Sequence, residues 1–253
     1  MVLQQTQVAR ALERWPALLA RFPNAAACAA ATPADVIAAW RGLGYNRRAL
    51  ALHRCATEIV GRHDGVVPAD LAALLALPGI GPYTARAVLA FAFEADVAVL
   101  DTNVARVAAR TTGRRLGAAE ARRAVDAAVP PGAGWAWNQA LLDLGATICT
   151  ARAPRCDACP VAGRCVWAAA GRPEPDPAVG SAGVPGRQSR FEGSDRQGRG
   201  RLVDALRDGP VPVAGLAAVM GWPDDAARAE RVARKLVADG LAVTDGGVLR
   251  LPD

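Results

Sequence analysis

Apolar positions recur every three to four residues through most of the first 170 residues. Nowhere in that stretch do they alternate with period two over strand length, so the pattern predicts an all-helical body. Thr32-Pro33-Ala34-Asp35 supplies an N-cap, a proline at the first helical position and an acid at the third, predicting a helix that runs to Trp40. Further helices are predicted at about 46–62, 69–76, 83–93, 102–111, 118–128 and 135–148. Residues 171–193 are rich in Gly and Pro, lack a helical apolar stripe and read as a linker. Beyond it the pattern gives helices at about 195–207, 213–220 and 224–238, then two short apolar runs around Asp245-Gly246-Gly247, a hairpin signal. Three helices and a hairpin predict a winged-helix tail, and no long-range repeat is visible.

Composition narrows the class. The 253 residues are 52% hydrophobic and 21% charged, enough for a core and for more than one domain. There is no uncharged apolar run of about 18 residues and no basic, apolar, small-residue leader, so a cytoplasmic protein is expected. Residues 1–170 carry 18 Arg against 12 acids, whereas 171–253 balance 12 against 12, so the whole net charge of +6 lies in the first part. Such an excess points only weakly to a polyanionic partner. All but one of the 30 basic residues are Arg, and with so much Ala this reads as coding bias.

Four cysteines carry a sharper signal. Cys149, Cys156, Cys159 and Cys165 are spaced C-x6-C-x2-C-x5-C within 17 residues. Thiolates are soft ligands, and four so close in sequence can close on one metal centre without help from the rest of the fold. Structural zinc sites commonly pair two C-x2-C knuckles, and only Cys156 and Cys159 form one here. The spacing therefore favours an iron–sulfur cluster, leaves zinc as the alternative, and disfavours a disulfide inside the cell. Cys28 and Cys55 stand alone in apolar helical stretches and read as core.

Two further motifs could carry chemistry. Leu77-Pro78-Gly79-Ile80-Gly81-Pro82 lies between two predicted helices. Glycines on either side of one apolar residue permit a tight hairpin whose amides, with the N-terminus of the next helix, can face a phosphate while Ile80 pins the turn into the core. An ordinary helix–helix turn is the plainer alternative. Asp101 follows Gly81 by 20 residues and stands at a helix start, where capping alone would explain it. Near an extruded nucleotide its carboxylate would stabilise positive charge on a sugar or orient water against the anomeric carbon.

The LPGIG hairpin, the Asp beyond it and the cysteine quartet together resemble the helix-hairpin-helix DNA glycosylases of the endonuclease III and MutY group, over residues 1–170. The resemblance implies a mainly α, two-lobed fold. A barrel lobe at 1–98 would carry the hairpin, an iron–sulfur lobe would span 99–170 with the active site between the two, and the winged-helix-like domain would span 194–253. It also implies a [4Fe-4S] cluster on Cys149, Cys156, Cys159 and Cys165. Double-stranded DNA would be held by Gly79, Ile80, Gly81 and the loop around the cluster, and the protein would be a monomer with no membrane attachment.

Three stretches resemble the MutY-type adenine glycosylases in particular: Leu3-Gln4-Gln5-Thr6-Gln7-Val8, Trp40-Arg41-Gly42-Leu43-Gly44-Tyr45 and Asn138-Gln139-Ala140. Bifunctional relatives place a Lys where this chain has Tyr83; tyrosine forms no imine, so a monofunctional enzyme is implied. Carried over residue by residue, the resemblance gives Asp101 the sugar cation and puts Tyr83 and Asn103 beside the reacting sugar. Gln139 would face the edge of the extruded adenine, and Gln5, Thr6 and Leu43 the orphaned partner base, with Gln5 wedged into the stack. Tyr45 would bind substrate as well, core packing being the alternative for both Tyr45 and Trp40. Arg47, Arg48, Arg152 and Arg155 are candidate phosphate contacts. The implied reaction is hydrolysis of the N-glycosidic bond of adenine mispaired with 8-oxoguanine or guanine. A thymine or uracil mismatch glycosylase is the alternative, since some relatives acting on T·G share Tyr at position 83, but Gln139 and the LQQT segment weigh against that reading.

Two features depart from the pattern. MutY enzymes use a Glu from an S-E-V-M-L-Q-Q-T segment to protonate adenine, and the register places that Glu immediately before Met1. Losing one catalytic acid costs about two to four orders of magnitude, so the chain from Met1 is expected to excise slowly, either as a shortened form of a longer protein or as a short form that binds DNA. The tail is shorter than the Nudix-like C-terminal domain of MutY enzymes. Its third helix mixes Arg228, Arg231, Arg234 and Lys235 with Asp224, Asp225 and Glu230, which leaves DNA contact and a packing module both open.

Overall fold

Thr32 caps its helix as the sequence predicts: the Asp35 amide donates to Thr32 Oγ1 at 3.1 Å and the Thr32 amide donates back to Asp35 Oδ2 at 3.2 Å. Similar local signals set boundaries along the whole computed structural model, which describes residues 1–183 and 190–253. The chain runs through α1 (Val8–Arg21), α2 (Ala25–Ala29), α3 (Pro33–Ala39) and α4 (Arg47–Arg62). It continues through α5 (Leu71–Ala76), α6 (Pro82–Ala92), α7 (Thr102–Thr112), α8 (Ala118–Asp126), α9 (Gly134–Asp143) and α10 (Val166–Ala169). The tail holds α11 (Asp195–Asp208), β1 (Val211–Pro212), α12 (Leu216–Met220), α13 (Ala226–Ala238), β2 (Val243–Asp245) and β3 (Val248–Arg250).

The predicted helix at 135–148 is two pieces, because α9 widens into a π turn at Leu144–Ile148. The predicted helix at 213–220 likewise begins as a 3-10 turn, at Val213–Gly215. Gly246 and Gly247, both at positive φ, make the predicted hairpin between β2 and β3. Val211 pairs with Leu249, adding β1 to the other edge of β3, so the tail has the element order of a winged helix. Of the linker expected at 171–193, residues 184–189 lie outside the described residues; residues 171–183 form no helix, yet Ala178 and Ser181 are buried.

Two compact units result. The first comprises Met1–Pro68, Ala76–Gly79 and the described residues of Ser189–Asp253. One apolar core serves it throughout: Ile37, Trp40, Leu43 and Leu50 pack in the same cluster as Leu202, Leu206, Met220, Leu236 and Leu249 of the tail. Cys28 and Cys55 are buried, and burial pushes the Cys55 thiol up to about 11, which keeps it protonated and inert. The second unit comprises Ala69–Leu75 and the described residues of Ile80–Gln188, around a smaller cluster that includes Ala98, Val104, Ala105, Leu116 and Val125. Among the described residues no helix is long and apolar enough to cross a membrane.

Candidate active site

Asp101 is the N-cap of α7. Its Oδ1 accepts from the Val104 amide at 2.7 Å and its Oδ2 from Asn103 Nδ2 at 2.9 Å, so both carboxylate oxygens are aimed by donors from the first turn of the helix. Asn103 is held in turn, its Oδ1 accepting from Arg106 Nη2 at 2.8 Å. Arg106 also donates to Gly145 O and, through Nε, to Cys149 O, each at 2.7 Å. A continuous hydrogen-bonded path thus leads from the Asp101 carboxylate to the backbone of the first clustered cysteine. Gly145 is required where the π turn crosses α7: a Cβ there would stand 2.7 Å from Asn103 Cβ and 2.9 Å from its carbonyl oxygen.

Asp101 is approached from two sides. Tyr83, in the first turn of α6, is partly exposed; its phenol is pushed up by burial and then by the Asp101 charge, so it keeps its proton at neutral pH. The chain leading into Asp101 is fixed by Asn138 of α9, which is 1% exposed. Asn138 Oδ1 accepts from the Val99 amide at 2.7 Å, and its Nδ2 donates to Val97 O and Gly134 O. Its neighbour Gln139 is half-buried, and no group among the described residues hydrogen-bonds its side-chain amide. Ahead of α6, Gly79 takes φ +76° and Gly81 is the N-cap, followed by Pro82 at the first helical position. Ile80 is only half-buried; Leu77, 5% exposed, is the buried residue of this hairpin, because the positive-φ turn at Gly79 follows Leu77 and leaves Ile80 nearer the surface.

All four clustered cysteines line one largely apolar cavity, with Val107, Leu144, Ile148, Val161 and Trp167 among its walls. The thiols therefore face one shared space. Four thiol donors around one apolar cavity, with a single C-x2-C pair among them, fit an iron–sulfur cluster. Arg110 borders the cavity, its Nη1 3.4 Å from Cys149 Sγ and donating to Thr150 O at 2.8 Å. It is buried against Asp176, with Nη2 to Oδ2 at 2.6 Å, and it lies over the Trp167 ring. Burial opposes charge on both groups, but their mutual hydrogen bonds win: the Asp176 carboxyl is lowered and the Arg110 guanidinium raised.

In the other unit, Gln5 is exposed at φ +54° and Tyr45 is 45% exposed at φ +45°, a backbone region that side chains rarely occupy. Arg48 holds both neighbourhoods. It donates to Met1 O, Val2 O and Gln4 O on one side, to Leu43 O and Gly44 O on the other, and to Thr6 Oγ1 at 2.8 Å between them. Its guanidinium also lies over the rings of Trp40 and Tyr45. Both terminal nitrogens of the Arg48 guanidinium are thus spent on the protein's own oxygens. Trp40 is a core aromatic, with Nε1 bonded to Gly44 O, whereas Tyr45 is not. Leu43 is buried, so only its backbone faces Thr6, which donates to Leu43 O at 3.2 Å. Arg47, Arg152 and Arg155 are exposed, Arg155 bonding to Thr147 O. Sequence reasoning missed Arg48's role as well as Arg106, Arg110 and Asn138; buried arginines and a buried amide carry no local mark in a chain so rich in Arg.

A hairpin ahead of a helix, an N-capping Asp further on and a cysteine-walled cavity define a DNA-repair class, and comparison with known proteins agrees. The chain belongs to the HhH-GPD superfamily of base excision DNA repair proteins, whose family model matches residues 1–130, and residues 149–165 match the iron–sulfur binding domain of endonuclease III. The chain is therefore an iron–sulfur protein of the [4Fe-4S] kind. It is 46% identical to the adenine DNA glycosylase of Mycolicibacterium smegmatis over 95% of its own length and 80% of that protein's. It is 44% identical to the adenine DNA glycosylase of Mycobacterium tuberculosis over 99% of this chain and 83% of that one. Among solved structures, a thermostable thymine-DNA glycosylase matches with TM-score 0.61 and 26% identity, over 67% of this chain and 81% of that one. A trapped endonuclease III–DNA intermediate matches with TM-score 0.60 and 22% identity, over 68% and 82%, and shares the fold.

Proposed function

We propose that the chain is a monofunctional adenine DNA glycosylase of base-excision repair, acting as a monomer on double-stranded DNA and hydrolysing the N-glycosidic bond of adenine mispaired with 8-oxoguanine or guanine. The Asp101 carboxylate, aimed by Asn103 and the Val104 amide beside the protonated phenol of Tyr83, is the observation that carries this reading. As adenine departs with the bond pair, positive charge grows on the sugar, and a fixed carboxylate stabilises it without reorganising. Asn103 keeps Asp101 Oδ2 in place, and water then adds at the anomeric carbon, the proton it gives up ending on the departed adenine. Tyr83 offers no amine to the sugar, so the product is an abasic site with the strand intact.

Gln139, with its amide unspent, reads the edge of the extruded adenine. Gln5, Thr6, Tyr45 and the Leu43 backbone meet the partner base, while Gly79, Ile80, Gly81 and the first turn of α6 grip a phosphate. Cys149, Cys156, Cys159 and Cys165 would hold the [4Fe-4S] cluster, whose contribution when bound is to fold the loop of residues 149–165.

Single-turnover excision on duplexes carrying A·8-oxoguanine, A·G, T·G and U·G tests this directly. Slow adenine release is expected, and Asp101→Asn should abolish it while duplex binding persists. Release of thymine or uracil alone would favour the activity named for the thymine-DNA glycosylase neighbour. Binding with no release on any duplex would make the chain a DNA-binding module.

A further inference from the structure

The loop Trp40–Asn46 is conformationally expensive, with Gly42, Gly44 and Tyr45 all at positive φ, and α3 and α4 lie at its two ends. One side chain from the tail touches both of those ends. Arg207, near the C-terminus of α11, has only 2% of its side chain exposed. Its Nε donates to Ile37 O, a last-turn carbonyl of α3, at 2.9 Å, and its Nη2 donates to Asn46 Oδ1, at the start of α4, at 2.8 Å.

The second bond displaces a commoner one. Asn46 occupies the N-cap of α4, where its side-chain oxygen would ordinarily accept from a first-turn amide, yet it makes no cap bond. Its oxygen is turned instead to a guanidinium that burial disfavours and that stands at the positive end of the α4 dipole. Asp204 balances the Arg207 charge from the same helix, and Asp208 ties Arg41 of the loop at 2.5 Å. A forgone cap and a buried cation are costs that core packing alone does not require. What they produce is a loop held at both ends by the tail.

We infer that Arg207 is a positioning residue for recognition of the base opposite the target adenine, so that residues 190–253 belong to the reading apparatus instead of forming a separate module. The inference rests on the reading that Tyr45 and the Leu43 backbone meet that base. Arg207 touches no DNA in this scheme; it acts through Asn46 and Ile37.

The test is equilibrium binding of the full, cluster-loaded chain to duplexes carrying 2′-fluoro-2′-deoxyadenosine opposite 8-oxoguanine or guanine, and to an undamaged duplex. Arg207→Met should reduce the wild-type preference between partner bases about fivefold, the scale of one coupled hydrogen bond, with affinity for undamaged duplex changed less than twofold. Asn46→Ala probes the same bond from the other side and leaves the tail intact should Arg207→Met fold poorly. The double variant should lose no more preference than either single one. Equal weakening on all three duplexes, preference retained within twofold, or strictly additive losses would each overturn the assignment. A wild-type chain with no partner-base preference would instead remove the underlying reading, and the inference with it.

Discussion

In the first unit a single apolar cluster runs from Val2 through Trp40 and Leu43 to Leu206, Met220 and Leu249, and the unit also holds the buried Arg207 side chain and the half-buried Arg48. In the second unit the apolar cluster is smaller, and α7 buries two arginines, Arg106 and Arg110, whose hydrogen bonds reach Asn103, Gly145, Cys149, Thr150 and Asp176. Hydrophobic burial is non-directional and tolerates small shifts, whereas a satisfied buried polar network permits one arrangement. The unit that would do the chemistry is built the second way. Its Asp101 carboxylate is aimed through bonds and not merely packed around.

Breaking the polar network should have the largest effect. Asp176→Ala leaves Arg110 buried without its carboxylate and should cost about 3–5 kcal/mol in the second unit. Hydrogen exchange should show α7 losing protection while α11 and α13 keep theirs, and equal losses in both units would end the distinction. The converse is Leu202→Ala, at a fully buried position of α11, which should cost about 2–5 kcal/mol and loosen α11 and α13 with α7 spared. Gly145→Ala should cost about 1–3 kcal/mol by overpacking against Asn103, and should slow adenine excision more than it weakens duplex binding. Unchanged excision would mean that Asn103 is not held as tightly as its bonds imply.

The smallest effect concerns acid. The Asp195 carboxyl is held below its ordinary value by its hydrogen bond from Arg228 and, beyond that, by Arg231, in a partly exposed site of the tail. Its folded value lies under its unfolded one, so its stabilisation is present above the unfolded carboxylate range of about 3.9 and fades as pH falls through the folded value. Asp195→Asn should therefore cost under about 1 kcal/mol at pH 7 by urea denaturation, and the gap from wild type should close once the pH has fallen below the folded value. A gap that persists in acid would assign the effect to something other than this charge.

Much of the site is local and therefore legible. The Thr32 capping box, the Gly79 turn, the Asp101 cap and the hairpin at Gly246 and Gly247 each involve residues within a few positions of one another. The π turn at Leu144–Ile148 was not legible, since apolar spacing reads the same through α9 and beyond it until Gly145 has to fit against Asn103. Nor was the placing of Leu43, whose motif marks it for a base while its side chain goes to the core.

The sequence by itself determined the helical body, the cysteine quartet and the capping Asp, because periodicity, ligand spacing and cap chemistry are short-range. Only the tertiary structure decided which of 29 arginines are buried and what they hold. The half-buried Arg48 and the buried side chains of Arg106, Arg110 and Arg207 reach partners 47, 43, 66 and 170 positions away, and removal from water turns a solvated cation into one that must find its acceptors within the protein.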